Sequence, residues 1–371
     1  MTTGWLEETW WGAHPRLAPR ALGLALAPAG ALFRLAAALR GAAYDSGLAI
    51  GSRAGVPVIS VGNVAVGGAG KTPATATIAA RLMARGRRVA ILSRGYGATR
   101  SDPRVVSDGA RILLDAAQGG DEPVLLARRL FGVPVLCGPR RADLARRAVV
   151  EFGADVLLLY DGFQHRALGR DLDVVLLDAA NPFGNGRSLP AGPNREPRTA
   201  LRRAGLVWLS RTDQADGAAL DALRSLARRE SGRDPVESRH APEELLDGAL
   251  TAPLGLSSLR GRRVLLLSGL ARPGSFRRTV EGLGAEVAAE RRFPDHHRFT
   301  TADVEEALRA AAQGGCASVI TTEKDALRLP AAVARDPRIA VLRIRSEIVR
   351  GGEGLESALD AVLSSARQEG R

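Results

Sequence analysis

The chain has 371 residues, 45% of them apolar, with a formal charge of +12 and a pI near 11. That length buries a sizeable core and favours two domains over one, and the charge implies an anionic partner such as nucleic acid, phospholipid headgroups or a phosphorylated substrate. An aromatic share of 4%, with arginines scattered through every segment rather than gathered on one helix, argues against nucleic acid.

Residues 21–39 form the most apolar stretch near the N-terminus, interrupted by Pro28 and Arg34. Its uncharged run, Ala21 to Phe33, is too short to cross a bilayer as a helix. Trp5, Trp10 and Trp11 precede it and Arg16, Arg20, Arg34 and Arg40 flank or punctuate it, which suits a segment lying in a membrane interface. An ordinary core-packing helix is the alternative. Cys137 and Cys316 are lone cysteines without ligand spacing, as in a reducing compartment.

From Pro57 onward short apolar runs alternate with helical stretches, the pattern of a parallel sheet covered by helices. The expected strands are Val58 to Val61, Arg88 to Leu92, Val133 to Leu136, Val156 to Leu159, Val174 to Leu177 and Leu206 to Leu209. Residues 214–262 lose this rhythm and read as a helix plus a connecting segment. A second α/β series follows, with strands at Val264 to Leu267, Ser318 to Thr321 and Ala340 to Ile344 and a helix at Arg277 to Leu283. The domain boundary is placed near residue 205.

Between the first strand and a helix expected over Thr72 to Arg85 lies Ala65-Val66-Gly67-Gly68-Ala69-Gly70-Lys71-Thr72. Loop N–H groups and a helix N-terminus together make an anion site, so the octapeptide reads as a phosphate-binding loop. Lys71 would reach the β- and γ-phosphates of a nucleotide and Thr72 would place its hydroxyl on Mg²⁺. Ala65 stands where the first glycine of the pattern usually falls. Only Lys71 and Lys324 among the 52 basic side chains are lysine. In an arginine-rich chain a lysine marks a position suited to a compact ammonium, although coding composition also produces such a bias.

The run Asp155 to Asp161 is an apolar strand ending in a carboxylate, the arrangement that holds Mg²⁺ in phosphate-loop enzymes, and Asp161 is its better candidate. A turn cap is the alternative for it. Asp121 precedes an apolar helix, Val124 to Leu130, and is either its N-cap or a functional carboxylate. Phe293 to Phe299 carries His296 and His297; adjacent histidines point apart and no cysteine lies nearby, so a histidine–carboxylate base fits better than a structural metal. Thr321-Thr322-Glu323-Lys324-Asp325 holds the second lysine and reads equally well as a charged helix start. The Gly/Pro-punctuated stretch 181–193 is a long loop, a class that is usually functional or disordered.

Taken in order, Val61-Gly62-Asn63 with the phosphate loop, Ser93-Arg94-Gly95-Tyr96-Gly97, Gly120-Asp121-Glu122-Pro123, Asp161-Gly162-Phe163-Gln164-His165, Phe183 to Pro193, Asp295-His296-His297 and Thr321 to Asp325 resemble the tetraacyldisaccharide 4'-kinase family, the lipid A 4'-kinases. The resemblance runs from about residue 5 to 345. It implies an α/β fold: a phosphate-loop-containing parallel sheet with helices on both faces, a second smaller α/β domain and an N-terminal membrane-interface helix. The corresponding segments are 1–45, 46–205 and 206–371, the last closing over the site. It also implies transfer of the γ-phosphate of ATP to the 4'-hydroxyl of a tetraacylated glucosamine disaccharide 1-phosphate, by a monomer with no nucleic-acid partner, on the anionic cytoplasmic face of the inner membrane. The nucleotide would lie on Ala65 to Thr72, Mg²⁺ on Thr72 and Asp161, and catalysis would rest on Lys71, Asp161, Asp121 and His296. Members usually carry two consecutive aspartates where this chain reads Tyr160-Asp161. A membrane-associated phosphate-loop switch ATPase would explain the loop and Asp161 but would leave the Asp-His-His motif idle.

Overall fold

The structure, a computed structural model, describes residues 2–12, 16–99, 102–270 and 273–369. Three helices come first, α1 (Thr2–Trp11), α2 (Leu17–Ala25) and α3 (Ala27–Asp45). The first half then runs β1 (Val58–Asn63), α4 (Lys71–Ala84), β2 (Val89–Ser93), β3 (Arg104–Ser107), α5 (Ala116–Gly119), α6 (Asp121–Arg129), β4 (Val135–Cys137), α7 (Arg141–Phe152), β5 (Val156–Tyr160), β6 (Leu172–Asp178), β7 (Leu206–Ser210) and α8 (Gly217–Ser231). The second runs β8 (Val236–Asp247), β9 (Arg263–Ser268), α9 (Pro273–Gly282), β10 (Glu286–Arg292), α10 (Thr301–Gln313), β11 (Ser318–Thr322), α11 (Glu323–Ala326), α12 (Ala331–Ala334), β12 (Ile339–Arg350) and α13 (Gly352–Glu369).

All strands join one sheet in the order β10-β9-β11-β12-β8-β7-β6-β1-β5-β2-β4-β3. Pairing is parallel except for β3 with β4 at one edge and β8 with β12 near the middle. Strands covered on both faces read as continuous apolar runs, and their alternate residues feed opposite layers. Ile59, Val61 and Leu158 join a cluster with Ile78 and Leu82 of α4 and Val124 and Leu126 of α6. Their neighbours Val58, Leu157 and Leu159 face Leu144 and Ala148 of α7. Each such fully buried aliphatic side chain stabilises the fold by roughly 1.5–3 kcal/mol.

The hydrophobic clusters do not divide at residue 205. Val175, Leu177, Val207 and Leu209 pack with Leu220 and Leu223 of α8, and Leu355, Leu359 and Leu363 of α13 return to the layer of α4. Arg81 and Arg85 of α4 pair with Glu356 and Asp360 on that helix. The 12-residue strand β8 replaces the connecting segment expected within 214–262. Its sequence Val-Glu-Ser-Arg-His-Ala-Pro-Glu-Glu-Leu-Leu-Asp hides a strand, because the pairing partner β12 supplies the order and a bulge in β8 just after Pro242 accommodates the missing N–H.

Few residues of α2 and α3 are buried; they are Pro19, Gly23 and Gly30. Leu17, Leu24, Leu32, Leu35 and Leu39 are exposed, so the core-packing alternative for this segment does not hold. The Trp5 side chain lies outside the described residues. The long loop 181–193 is an ordered cradle for these helices. Trp10 Nε1 donates to the Pro190 carbonyl at 2.9 Å, Asn185 Nδ2 to the Thr9 carbonyl at 2.9 Å, and Arg187 to the Gly23 carbonyl at 3.0 Å.

Candidate active site

Strands β1, β2, β5 and β7 all end at one cleft of about 770 Å³, and the segments after β10 and β11 close it from the other half of the sheet. Ligands in open α/β sheets sit beyond the carboxyl ends of the strands, and this cleft does. Lys71, Thr72, Tyr160, Asp161, Glu122, His296 and Lys324 line it.

The glycine-rich loop turns tightly between β1 and α4. Gly67 and Gly70 have φ of 100° and 81°, in the left-handed region that glycine alone enters without strain. A Cβ on Gly70 would also lie 2.7 Å from His240 Nε2. Ala65 needs no such freedom: it bridges Asn194, and Val66 N–H donates to the Pro193 carbonyl at 2.8 Å. Past Gly70 the first turn of α4 presents N–H groups without intrahelical partners at its positive end.

Lys71 Nζ lies 3.2 Å from Asn63 Oδ1 and 3.3 Å from Asp161 Oδ1. Burial pushes its pKa down, and Asp161 opposes that. Burial would raise the Asp161 carboxyl, but Lys71 and Arg195 hold it down to about 2, so it is ionised at any physiological pH. Arg195 donates to Asp161 Oδ2 at 2.8 Å. Tyr160 OH and Thr72 Oγ1 are 3.0 Å apart, and burial, then Glu122, keeps the phenol neutral by raising its pKa. The site has the donors for a hard cation: the Thr72 hydroxyl, and Asp161 Oδ1, which is buried and forms no full hydrogen bond. Among the described residues no three His, Cys, Asp or Glu side chains cluster as a metal cage. A cation here would draw most of its ligands from phosphate and water, which suits Mg²⁺.

Asp121 is the first residue of α6, and the N-cap is Gly120, without a side-chain cap bond. The carboxylate instead turns toward the other half of the molecule. Its Oδ2 is 3.3 Å from His296 Nδ1 and accepts from Arg328 Nε at 2.7 Å and from the Arg328 Nη2 group. Burial would raise its pKa, but His296 and Arg328 lower it on balance, so Asp121 is an anion. His297 is elsewhere, 3.1 Å from Asp303 and stacked on Phe293. The structure therefore brings Asp121 and His296 together across 175 residues and gives His297 a packing role.

Several site residues escaped the sequence reading. Arg195 and Arg211, which line the cleft, and Arg328, which reaches it through Asp121, carry no mark among so many arginines, and His240 sits in the strand that was missed. Arg211, in the left-handed region at φ 55°, pairs with Asp178 and donates to the Gly68 carbonyl of the loop. A basic wall of Arg40, Arg94, Arg141 and Arg195 lines the rest, together with His165. Burial first, then Arg141 and Arg170, push His165 down to about 4, so it is a neutral hydrogen-bonding group beside those cations.

A family model described as tetraacyldisaccharide-1-P 4'-kinase matches residues 22–364. A protein named tetraacyldisaccharide 4'-kinase from Anaeromyxobacter sp. (strain Fw109-5) is 66% identical over 97% of this chain and 96% of its own length. Another of that name from Syntrophus aciditrophicus is 42% identical over 87% of this chain and 88% of its own. Among solved structures, the LpxK from Aquifex aeolicus, an "apo" form in complex with ATP, superposes with a TM-score of 0.74 at 29% identity, covering 92% of this chain and 99% of that one.

Proposed function

The chain belongs to the tetraacyldisaccharide 4'-kinase family, and we propose that the two ends of its cleft divide that family's reaction between them. The enzyme transfers the γ-phosphate of ATP to the 4'-hydroxyl of a tetraacylated glucosamine disaccharide 1-phosphate, a step of lipid A biosynthesis.

Phosphoryl transfer needs little covalent help from the protein; it needs positioning and neutralisation of charge. Within the loop Ala65 to Gly70, whose Val66 and Ala69 N–H groups are already bonded to the Pro193 and Gly67 carbonyls, the amides of Gly67, Gly68 and Gly70 and the N-terminus of α4 hold the phosphates, and the Lys71 ammonium follows the γ-phosphoryl group as it moves. Thr72 and Asp161 would hold Mg²⁺, which would supply neutralisation of triphosphate charge when bound. Tyr160 keeps the Thr72 hydroxyl oriented but brings no second negative charge to that position. At the far end Asp121, ionised and fixed through one oxygen, accepts the proton of the attacking hydroxyl while His296 orients it.

The observation that carries this reading is the Asp121–His296 contact beside the cleft that also holds Lys71 and Thr72. A switch ATPase has no use for such a pair. Incubation with ATP and the disaccharide monophosphate should give a product one phosphate heavier by mass spectrometry. ATP hydrolysis that ignores the lipid would overturn the reading.

The acceptor is an amphiphile, and the exposed leucines of α2 and α3, alternating with Arg16, Arg20, Arg34 and Arg40, support an enzyme, a monomer in this reading, that rests on the anionic cytoplasmic face of the inner membrane. Among the described residues no single helix is long and apolar enough to cross a bilayer; α2 and α3 together meet that length and composition but are bent by 47°. Leu32→Asp with Leu35→Asp should reduce cosedimentation with anionic vesicles while the circular dichroism spectrum stays unchanged; equal cosedimentation would remove this placement. Within residues 206–371, β7, α8 and α13 pack with the first half, so the part built on β9 to β12 is what would close toward 46–205 on substrate, and an unchanged radius of gyration in small-angle scattering with a bound ATP analogue would argue against that movement.

A further inference from the structure

Lys324 has no task in the reaction as described so far, yet it is one of two lysines in the chain and it touches His296. Its Nζ lies 3.2 Å from His296 Nε2 and 3.1 Å from Asp295 Oδ1. Asp295 is itself oriented, because Oδ1 also accepts from the His296 backbone N–H at 3.0 Å, a local bond that supports the φ of 64° at His296. The imidazole is thus placed by backbone and by neighbours, with the Tyr96 ring against it edge-on at 5.8 Å between centroids.

Four charged groups face the ring: Asp121 and Arg328 at Nδ1, Lys324 at Nε2, and Asp295 at 3.9 Å from Nε2. A neutral imidazole has one N–H, and each choice of tautomer can be tested against these neighbours. With the proton on Nε2, that N–H would meet the Lys324 ammonium, which has three donors and no lone pair to accept it. The bare Nδ1 would then face the Asp121 carboxylate, lone pair to lone pair. With the proton on Nδ1, that N–H donates to Asp121 Oδ2 and Nε2 accepts from Lys324, so both ring nitrogens are satisfied. One contact opposes this choice: Arg328 Nη2 lies 3.0 Å from Nδ1 and only one of its two hydrogens goes to Asp121 Oδ2, but the Asp121 carboxylate at Nδ1 and the Lys324 ammonium at Nε2 both require the proton on Nδ1.

We propose that Lys324 is a positioning residue for the phosphoryl transfer: by donating to Nε2 it fixes His296 as the Nδ1–H tautomer, whose proton points at Asp121. The consequence reaches the carboxylate. His296 and Arg328 both engage Oδ2, and among the described residues Oδ1 takes no hydrogen bond, so the oxygen left to receive the sugar hydroxyl's proton is Oδ1. Arginine at residue 324 would present a planar fork where a single tetrahedral donor fits between Asp295 and Nε2. This role rests on the kinase reading for its catalytic meaning, but not for its structural content.

Two measurements test it. In protein labelled with ¹⁵N at histidine, two-bond correlations report which ring nitrogen of His296 carries the proton; the wild type should show Nδ1–H, and Lys324→Met should shift the ring toward Nε2–H or a mixture. A wild-type ring protonated on Nε2, or a spectrum unchanged by Lys324→Met, overturns the proposal whether or not the protein phosphorylates lipid. In the kinase assay Lys324→Met should lower kcat roughly tenfold, less than the loss of a proton-transfer group itself because Lys324 acts through His296, with the KM for ATP unchanged. In the His296→Ala background the same substitution should cost nothing further, whereas an additive loss would show that Lys324 acts on its own. Absence of lipid phosphorylation by the wild type would instead count against the kinase reading alone.

Discussion

Lys71 finds its polar partners close by in the fold of the first half: Asn63 lies eight residues earlier, and Asp161 ends the strand next to β1 in the sheet. Lys324 works beside His296, and through it beside Asp121 on a helix of the other half. The first site is thus a turn, a strand end and a helix start held by one parallel ladder. The second exists only where three distant segments meet. One end of the cleft is set by local backbone geometry, and the other depends on how the two halves of the sheet are placed. Phosphate binding should therefore survive damage that abolishes proton transfer, while the reverse should not occur.

Lys71→Ala would break the comparison at its stronger end. It should lower turnover roughly a thousandfold, in the range seen when a fixed electrostatic donor to a reacting phosphate or oxyanion is removed, and should weaken ATP binding measured by calorimetry. A variant that bound ATP poorly yet kept normal kcat would show that Lys71 only anchors the nucleotide. His296→Ala should cost less, roughly 10- to 100-fold in kcat, with ATP affinity retained, because Asp121 keeps Arg328 as a partner. Equal losses in kcat and in ATP affinity would mean that the two ends are not separable.

Tyr160→Phe sharpens the account of the metal end. Loss of the hydroxyl partner of Thr72 should cost about 1 kcal/mol, a few-fold increase in the Mg²⁺ concentration needed for half-maximal rate. No change would leave Tyr160 as a packing residue. The smallest effect concerns His240, whose Nε2 is buried against Gly70. Burial, then Arg211 and Arg129, push its pKa down from 6.5 to about 3. Below pH 6.5 the unfolded chain binds a proton that the folded one refuses, so His240 makes stability fall as pH drops from about 6.5 toward 3. His240→Asn should flatten that slope in thermal melts between pH 6.5 and 4; an unchanged slope would assign the acid sensitivity to other groups such as His165.

The same contrast decides what could be read from the chain. Strands β1, β5, β6 and β7 are buried on both faces, so their apolar runs and the polar motifs at their ends stand out, and the glycine-rich loop is a contiguous octapeptide in the context its chemistry needs. Strand β8 was invisible because its charged residues face Arg343, Arg224 and solvent rather than a helix layer. Asp121 and His296 were recognisable as types but not as neighbours, since only the folded sheet brings α6 against the segment after β10. Arg328, the other partner of Asp121, carried no signal at all in a chain where arginine supplies nearly every positive charge. Lys324 was conspicuous by composition, and its meaning came from the ring nitrogen that it faces.

The central claim is that Asp121 takes the proton of the acceptor hydroxyl while the glycine-rich end holds ATP independently. Asp121→Asn keeps the size of the side chain and its place at the start of α6 and removes the charge. Calorimetry should find ATP affinity close to that of the wild type, and single-turnover assays with the lipid acceptor should find transfer slowed by roughly 10²–10⁴-fold. Transfer at the wild-type rate by Asp121→Asn would contradict the account.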